Sequence, residues 1–154
     1  MTSTVSFDLE KEMTTNIVIG ASCIGFVLLF FILALFARHF EGFALLIGNL
    51  VAPIPEGSKL YSILRVLGYS YIPLAVMLSY LFKCFRKVSP DASPLQIALH
   101  IRAETVITCA LFESIALCGF LLFCCSRSWS DFPVFAGISL LLLILAFPIL
   151  FRAD

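Results

Sequence analysis

Four long apolar segments, nearly free of charge, alternate with short polar segments along the chain. Each is close to the roughly 20 residues that an α-helix needs to cross about 30 Å of hydrocarbon. We therefore predict an all-α integral membrane protein with four transmembrane helices, at about residues 14–37, 60–82, 105–126 and 132–151.

Aromatic and charged residues mark the ends of these segments. Arg38 follows the first segment, and Tyr61 and Tyr80 lie near the two ends of the second, at the depth that interfacial aromatic rings prefer. Arg65 is near enough to the start of the second segment to extend its guanidinium group to the interface. Pro73, near the middle, predicts a kink.

The third helix has a clear start signal. Ser93 is a typical N-cap residue, Pro94 suits the first helical position, and Gln96 completes a capping box. Because Gly119 alone interrupts the following helical pattern, the third helix is predicted to begin at Pro94, outside the membrane, and to cross it at 105–126.

Residues 42–52 form a shorter apolar segment with two glycines and Asn49. Apolar runs of about 10–14 residues are more often interfacial or re-entrant than spanning. We predict an interfacial helix at 42–52, with a re-entrant loop that lines a pore through Asn49 as the alternative.

The composition agrees with one membrane domain over residues 1–154. Hydrophobic residues make up 61% of the chain and charged residues 13%, against about 25% charged residues in soluble domains. The formal net charge is zero, so no basic field recruits nucleic acid. The expected partners are the lipid bilayer and either other membrane subunits or further copies of the chain.

Four spans place both termini on one side of the membrane. Basic residues favour the cytoplasmic side, and six of them fall on the side of the termini against four on the other. Both termini are therefore predicted to be cytoplasmic. The six on the side of the termini are Lys11, Lys83, Arg86, Lys87, Arg102 and Arg152. The four on the other side are Arg38, Lys59, Arg65 and Arg127.

Small residues recur every four positions on two of the predicted spans. Such spacing lets membrane helices approach closely, and it predicts helix packing at Ala21, Gly25, Ala110, Ser114 and Cys118.

Glu113 is the acidic residue inside the third predicted span, about 4 Å from its midpoint. Intramembrane carboxyl groups usually face the bundle interior and mark ion or proton paths. Two roles are open for Glu113. It either forms a structural hydrogen bond between helices, or it carries a proton or cation. In the first case, its candidate partners from other spans are Ser22, Ser139, Ser70 and Tyr69.

Residues 110–122 resemble the carboxylate-bearing helix of the rotor-ring proteolipid (subunit c) of ATP synthases. That family has a recurring pattern around its ion-binding Glu: a small residue before it, an Ala or Ser directly after it, and a Gly six residues after it. In this chain the pattern is matched by Ala110, Glu113, Ser114 and Gly119. The resemblance implies that Glu113 binds a proton or Na⁺ with help from Ser114.

Known catalytic patterns do not occur in the chain. It contains no HExxH zinc motif, no GxSxG nucleophile elbow and no pair of intramembrane aspartates. His39 and His100 fall on opposite predicted sides, so they do not share a metal. We expect no enzyme activity, cofactor or metal, and a role as a subunit or accessory factor of a membrane assembly. The alternative is a proton- or cation-translocating subunit that uses Glu113.

Overall fold

The computed structural model describes residues 2–40, 54–85 and 92–150, and these residues form helices without any strand. The helices are α1 (Thr2–His39), α2 (Lys59–Phe85), α3 (Pro94–Ser126) and α4 (Phe132–Leu150). The prediction of an all-helical fold is confirmed for these residues. The predicted interfacial or re-entrant segment at 42–52 lies outside the described residues.

Within the part of the chain that the structure describes, three helices are long and apolar enough to cross a membrane, over Thr14–His39, Lys59–Phe85 and Leu95–Ser126. The apolar stretch Phe132–Ala146 of α4 is shorter. Three of the four expected spans therefore have the required length and composition, and a fourth crossing stays a prediction.

Local hydrogen bonds mark both ends of α3. The Ser93 side chain accepts a hydrogen bond from the Gln96 N–H while the Gln96 side chain accepts one from the Ser93 N–H, so the predicted capping box is present. At the other end Arg127 takes the left-handed conformation, with φ 57°, and its N–H donates to the Phe123 carbonyl. The turn after Arg127 leads into α4.

The packing partners of α3 place it at the centre of the bundle, since α1, α2 and α4 all pack against it. The rings of Phe30 and Phe120 stack at 5.4 Å, while Cys23 interacts with Cys109, so α1 runs parallel to α3. In contrast, α2 runs antiparallel to α3, because Tyr71 meets Ser114 and Lys83 meets Glu104.

These helix directions bring the start of α4 to one end of the bundle, beside the last turns of α1 and α3 and the start of α2. An aromatic cluster fills this end, with ring centroids about 5.6–6.4 Å apart. Its members are Phe31, Phe120, Phe123, Trp129 and Phe132. Trp129, in the connector between α3 and α4, is half-buried here, and the Arg38 guanidinium lies 5.2 Å from its ring centroid.

Two glycines, Gly68 and Gly119, lie directly against a neighbouring side chain. A Cβ atom at Gly119 would overlap the Phe135 side chain, and one at Gly68 would lie 3.1 Å from Phe135 Cζ. The structure places Ala21 and Gly25 on the exposed face of α1, where a Cβ at Gly25 has nothing within 4 Å. Gly68 and Gly119, rather than Ala21 and Gly25, therefore lie at helix contacts within the chain, where both face Phe135.

The predicted packing positions on α3 are only partly covered within the chain. Ala110 is exposed, while Ser114 and Cys118 are half-buried toward α2. Ser114 and Cys118 thus contribute to the α2–α3 interface, and Ala110 faces outward.

Candidate functional site

Among the described residues, Asp131 has the largest set of polar partners, and its side chain is buried, with 3% of its residue surface exposed. Tyr61 donates a hydrogen bond of 2.6 Å to Oδ2, and Tyr69 donates one of 2.9 Å to Oδ1. The Arg65 guanidinium reaches Oδ1 through Nε at 3.0 Å and Nη2 at 2.9 Å. We call Tyr61, Arg65, Tyr69 and Asp131 the Asp131 cluster.

Helix geometry explains how three residues of α2 meet one carboxylate. Tyr61, Arg65 and Tyr69 are spaced by four, so they lie on one face of the helix. Asp131 stands immediately before α4, where its backbone carbonyl accepts the N–H groups of Val134 and Phe135. The cluster therefore joins the first turns of α2 to the start of α4.

The donors of the cluster favour an ionised carboxylate. Burial raises the pKa of Asp131, but the hydrogen bonds from Tyr61 and Tyr69 and the charge of Arg65 together outweigh it, so the pKa lies below the ordinary carboxyl value. Both carboxylate oxygens have strong donors, which makes the arrangement suited to holding helices together rather than to exchanging protons near neutral pH.

The sequence carried a signal for this cluster that our interpretation of Arg65 and Tyr61 as interfacial residues did not use. Three side chains with hydrogen-bond donors stand at i, i+4 and i+8 on one apolar helix, and Asp131 is an acidic residue in a short connector. Half of the Arg65 side chain is exposed, so the interfacial interpretation of Arg65 and its ion pair are compatible.

Glu113, the residue that the sequence singles out, is half-buried on α3 and lies toward α1. The thiol groups of Cys23 on α1 and of Cys109, one turn earlier on α3, lie near its carboxyl group. Glu113 therefore lies at the α1–α3 interface with two thiols among its neighbours.

The four hydroxyl groups considered as partners for Glu113 lie elsewhere. Ser22 donates to the Val18 carbonyl, Ser139 donates to the Phe112 carbonyl at 2.6 Å, and Tyr69 belongs to the Asp131 cluster. Ser70 is exposed and lines a groove between α2 and α3.

Ser114, which the proteolipid resemblance assigns to the same ion site as Glu113, faces α2. Its hydroxyl lies 2.6 Å from the Tyr71 hydroxyl and donates to the Leu111 carbonyl. Neighbouring residues on an α-helix are about 100° apart around its axis. Glu113 and Ser114 are therefore directed at different helices and do not come together in one site.

Asn16 is a buried polar residue that the sequence analysis did not single out, since it stands near the start of an apolar segment. Its residue surface is 4% exposed, and its side-chain oxygen has no hydrogen-bond partner among the described residues. A buried acceptor without a hydrogen-bond donor lowers the stability of a fold by about 1–3 kcal/mol.

Two grooves follow α2, one on each side of the contact between Tyr71 and Ser114. The first encloses about 490 Å³, and its lining is almost entirely apolar, from Leu64 to Leu74 on α2 and from Cys118 to Cys125 on α3. The second encloses about 420 Å³ between α2, α3 and α4 at the end opposite the Asp131 cluster, and it includes the Lys83–Glu104 ion pair. Both volumes fall in the usual range of ligand pockets.

No protein-family model, curated protein or solved structure matches this chain.

Proposed function

We propose that this protein is an integral membrane protein with four spans, acting as a non-enzymatic subunit or accessory factor of a membrane assembly. The observation that carries this proposal is the exposed apolar surface of α1 and α2. Large hydrophobic side chains stand exposed along both helices, among them Phe26, Ile32, Ile63, Val66 and Met77. In water such a surface exceeds what a monomeric soluble protein leaves open.

The position of α2 supports a role in assembly. It packs chiefly on α3, with the Asp131 cluster tying its first turns to α4. Its opposite face, with Ile63 56% and Val66 65% exposed, is free of other described helices. Lipid chains or helices of a partner subunit would cover this face.

The surroundings of Glu113 favour the structural role over the ion carrier. The hydroxyl of Ser114, which an ion site would use, is engaged with Tyr71 and Leu111 instead. On this proposal Glu113 serves as a polar contact between α1 and α3, through Cys23.

Purification in mild detergent, followed by mass analysis of co-purifying chains, tests the proposed function. We expect wild type and Glu113→Gln to recover the same partner chain, because Gln keeps the hydrogen-bonding capacity. Glu113→Leu should weaken the bundle by about 0.6–2 kcal/mol, the range of intramembrane hydrogen bonds, and recover less partner. Glu56→Leu, in an exposed turn, is the control and should behave like wild type.

Two results would count against the proposal. Recovery of the chain without any stoichiometric partner would contradict a role as a subunit. A Glu113→Gln variant that assembles normally but abolishes a measured ion flux would favour the proton- or cation-translocating alternative.

The proposed topology places both termini in the cytoplasm. We expect a membrane-impermeant maleimide to label Val88→Cys and Asp154→Cys from one side of the membrane and Gly57→Cys and Ser130→Cys from the other, in a background with Cys84→Ser. The four helix directions of the bundle motivate this pattern. Labelling of positions 88 and 154 from opposite sides would require a different number of spans.

A further inference from the structure

The second groove has an apolar wall and a polar floor. Leu142, Leu145 and Ala146 of α4 form the wall, with Phe112 of α3 and Val76 of α2 at the inner end. Near the Asp131 cluster, α2 contacts Asp131 and Phe135. Farther from the cluster, residues of α2, α3 and α4 line this groove.

Polar groups on the floor follow a definite order from the mouth inward. Lys83 and Glu104 stand at the mouth as an ion pair at 3.8 Å. One helical turn deeper, about 6 Å along the axes, the hydroxyls of Ser79 and Thr108 lie 3.4 Å apart. Beyond them the lining is apolar. From the mouth inward, the groove thus presents charged side chains, then hydroxyl groups, then apolar side chains. A glycerophospholipid has its phosphate, its ester groups and its acyl chains in the same order.

The charge at the mouth selects the headgroup. The Lys83 side chain is half-exposed, and its loose contact with Glu104 leaves ammonium N–H donors available. This ammonium group at the mouth favours an anionic lipid, since a basic residue near a membrane surface attracts such lipids.

We propose that this groove binds one anionic glycerophospholipid, with an acyl chain against Leu142, Leu145 and Phe112, the ester near Ser79 and Thr108, and the phosphate at Lys83. The site rests on the membrane insertion proposed above. The groove between Ser70 and Cys118 has a comparable volume but no charged residue in its lining, and it therefore serves as the internal comparison.

Native mass spectrometry tests the proposal on protein extracted in mild detergent from an alkali-washed membrane pellet. The probes are phosphatidylglycerol and phosphatidylcholine with identical acyl chains. We expect bound phosphatidylglycerol to exceed phosphatidylcholine about fivefold for one lysine contact, and Lys83→Gln to remove this preference. Ala146→Trp, which fills the groove, should abolish the bound lipid, whereas Ser70→Trp, which fills the other groove, should not.

The outcomes separate this proposal from membrane insertion itself. Release of the chain by the alkaline wash would contradict the proposed membrane protein before any lipid is added. Two other results would overturn the lipid site alone. The first is that wild-type protein from the pellet binds the two lipids equally. The second is that Ala146→Trp, with a Tm equal to that of Ser70→Trp, binds as much lipid as wild type.

Discussion

Asp131→Ala is expected to lower the free energy of unfolding by about 2–4 kcal/mol, somewhat below the loss seen when one partner of a fully buried ion pair is removed. The substitution leaves the Tyr61 and Tyr69 hydroxyls without their acceptor at the α2–α4 contact. The loss is smaller than for a fully buried ion pair because half of the Arg65 side chain is exposed and regains solvent. Equilibrium unfolding in mixed detergent micelles measures the change.

A matched pair of tyrosine variants provides the control for the Asp131 cluster. Tyr61→Phe removes one hydrogen bond to the buried carboxylate and should cost about 0.5–1.5 kcal/mol. Tyr80→Phe makes the same change at an exposed position of the same helix, and its stability should equal that of wild type. If Asp131→Ala cost no more than Tyr80→Phe, the cluster would not hold α2 in place.

Acid provides an independent check on the same carboxylate. Since the folded-state pKa of Asp131 is below its ordinary value, its ionised form stabilises the fold above the unfolded-state pKa near 4. That stabilisation is lost as the pH falls below about 4 and through the folded-state pKa. In Asp131→Asn, this part of the acid sensitivity should disappear, whereas an unchanged acid profile would contradict the assignment.

Gly119→Ala is expected to destabilise the bundle by about 1–3 kcal/mol, the usual cost of overpacking a core. The new methyl group would overlap Phe135 Cβ and lie 2.9 Å from Phe135 Cγ. Phe135 is fully buried and also packs on the Tyr69 ring, with centroids 4.8 Å apart, so it has little room to move. The same unfolding measurement in mixed micelles detects the loss.

Gly25→Ala is the matched control for this effect. Gly25 is also a helical glycine, but a Cβ there meets nothing within 4 Å, so alanine should leave the fold unchanged or stabilise it by up to about 1 kcal/mol through helix propensity. A loss at Gly25 equal to that at Gly119 would mean that a further helix packs on the Gly25 face.

Local features of the chain were sufficient to predict the helices. Apolar runs of spanning length predicted the four helical segments, and α2 begins one residue before its predicted start at residue 60. The capping pattern at Ser93 located the start of α3 because its hydrogen bonds join residues three apart. In contrast, α1 begins at Thr2, well before the first apolar segment, because a helix does not have to end where its residues become polar.

The sequence by itself determined which segments are helical and apolar, since these properties depend on neighbouring residues and on solvent. Only the tertiary structure decided which side chains meet. Asp131 is 62 to 70 residues from its tyrosine partners in the sequence. Small residues spaced by four occur on both α1 and α3, but Gly25 is exposed whereas Gly119 packs on Phe135, because the two helices are rotated differently about their axes. That rotation is set by the packing of all the helices together, which no local pattern records.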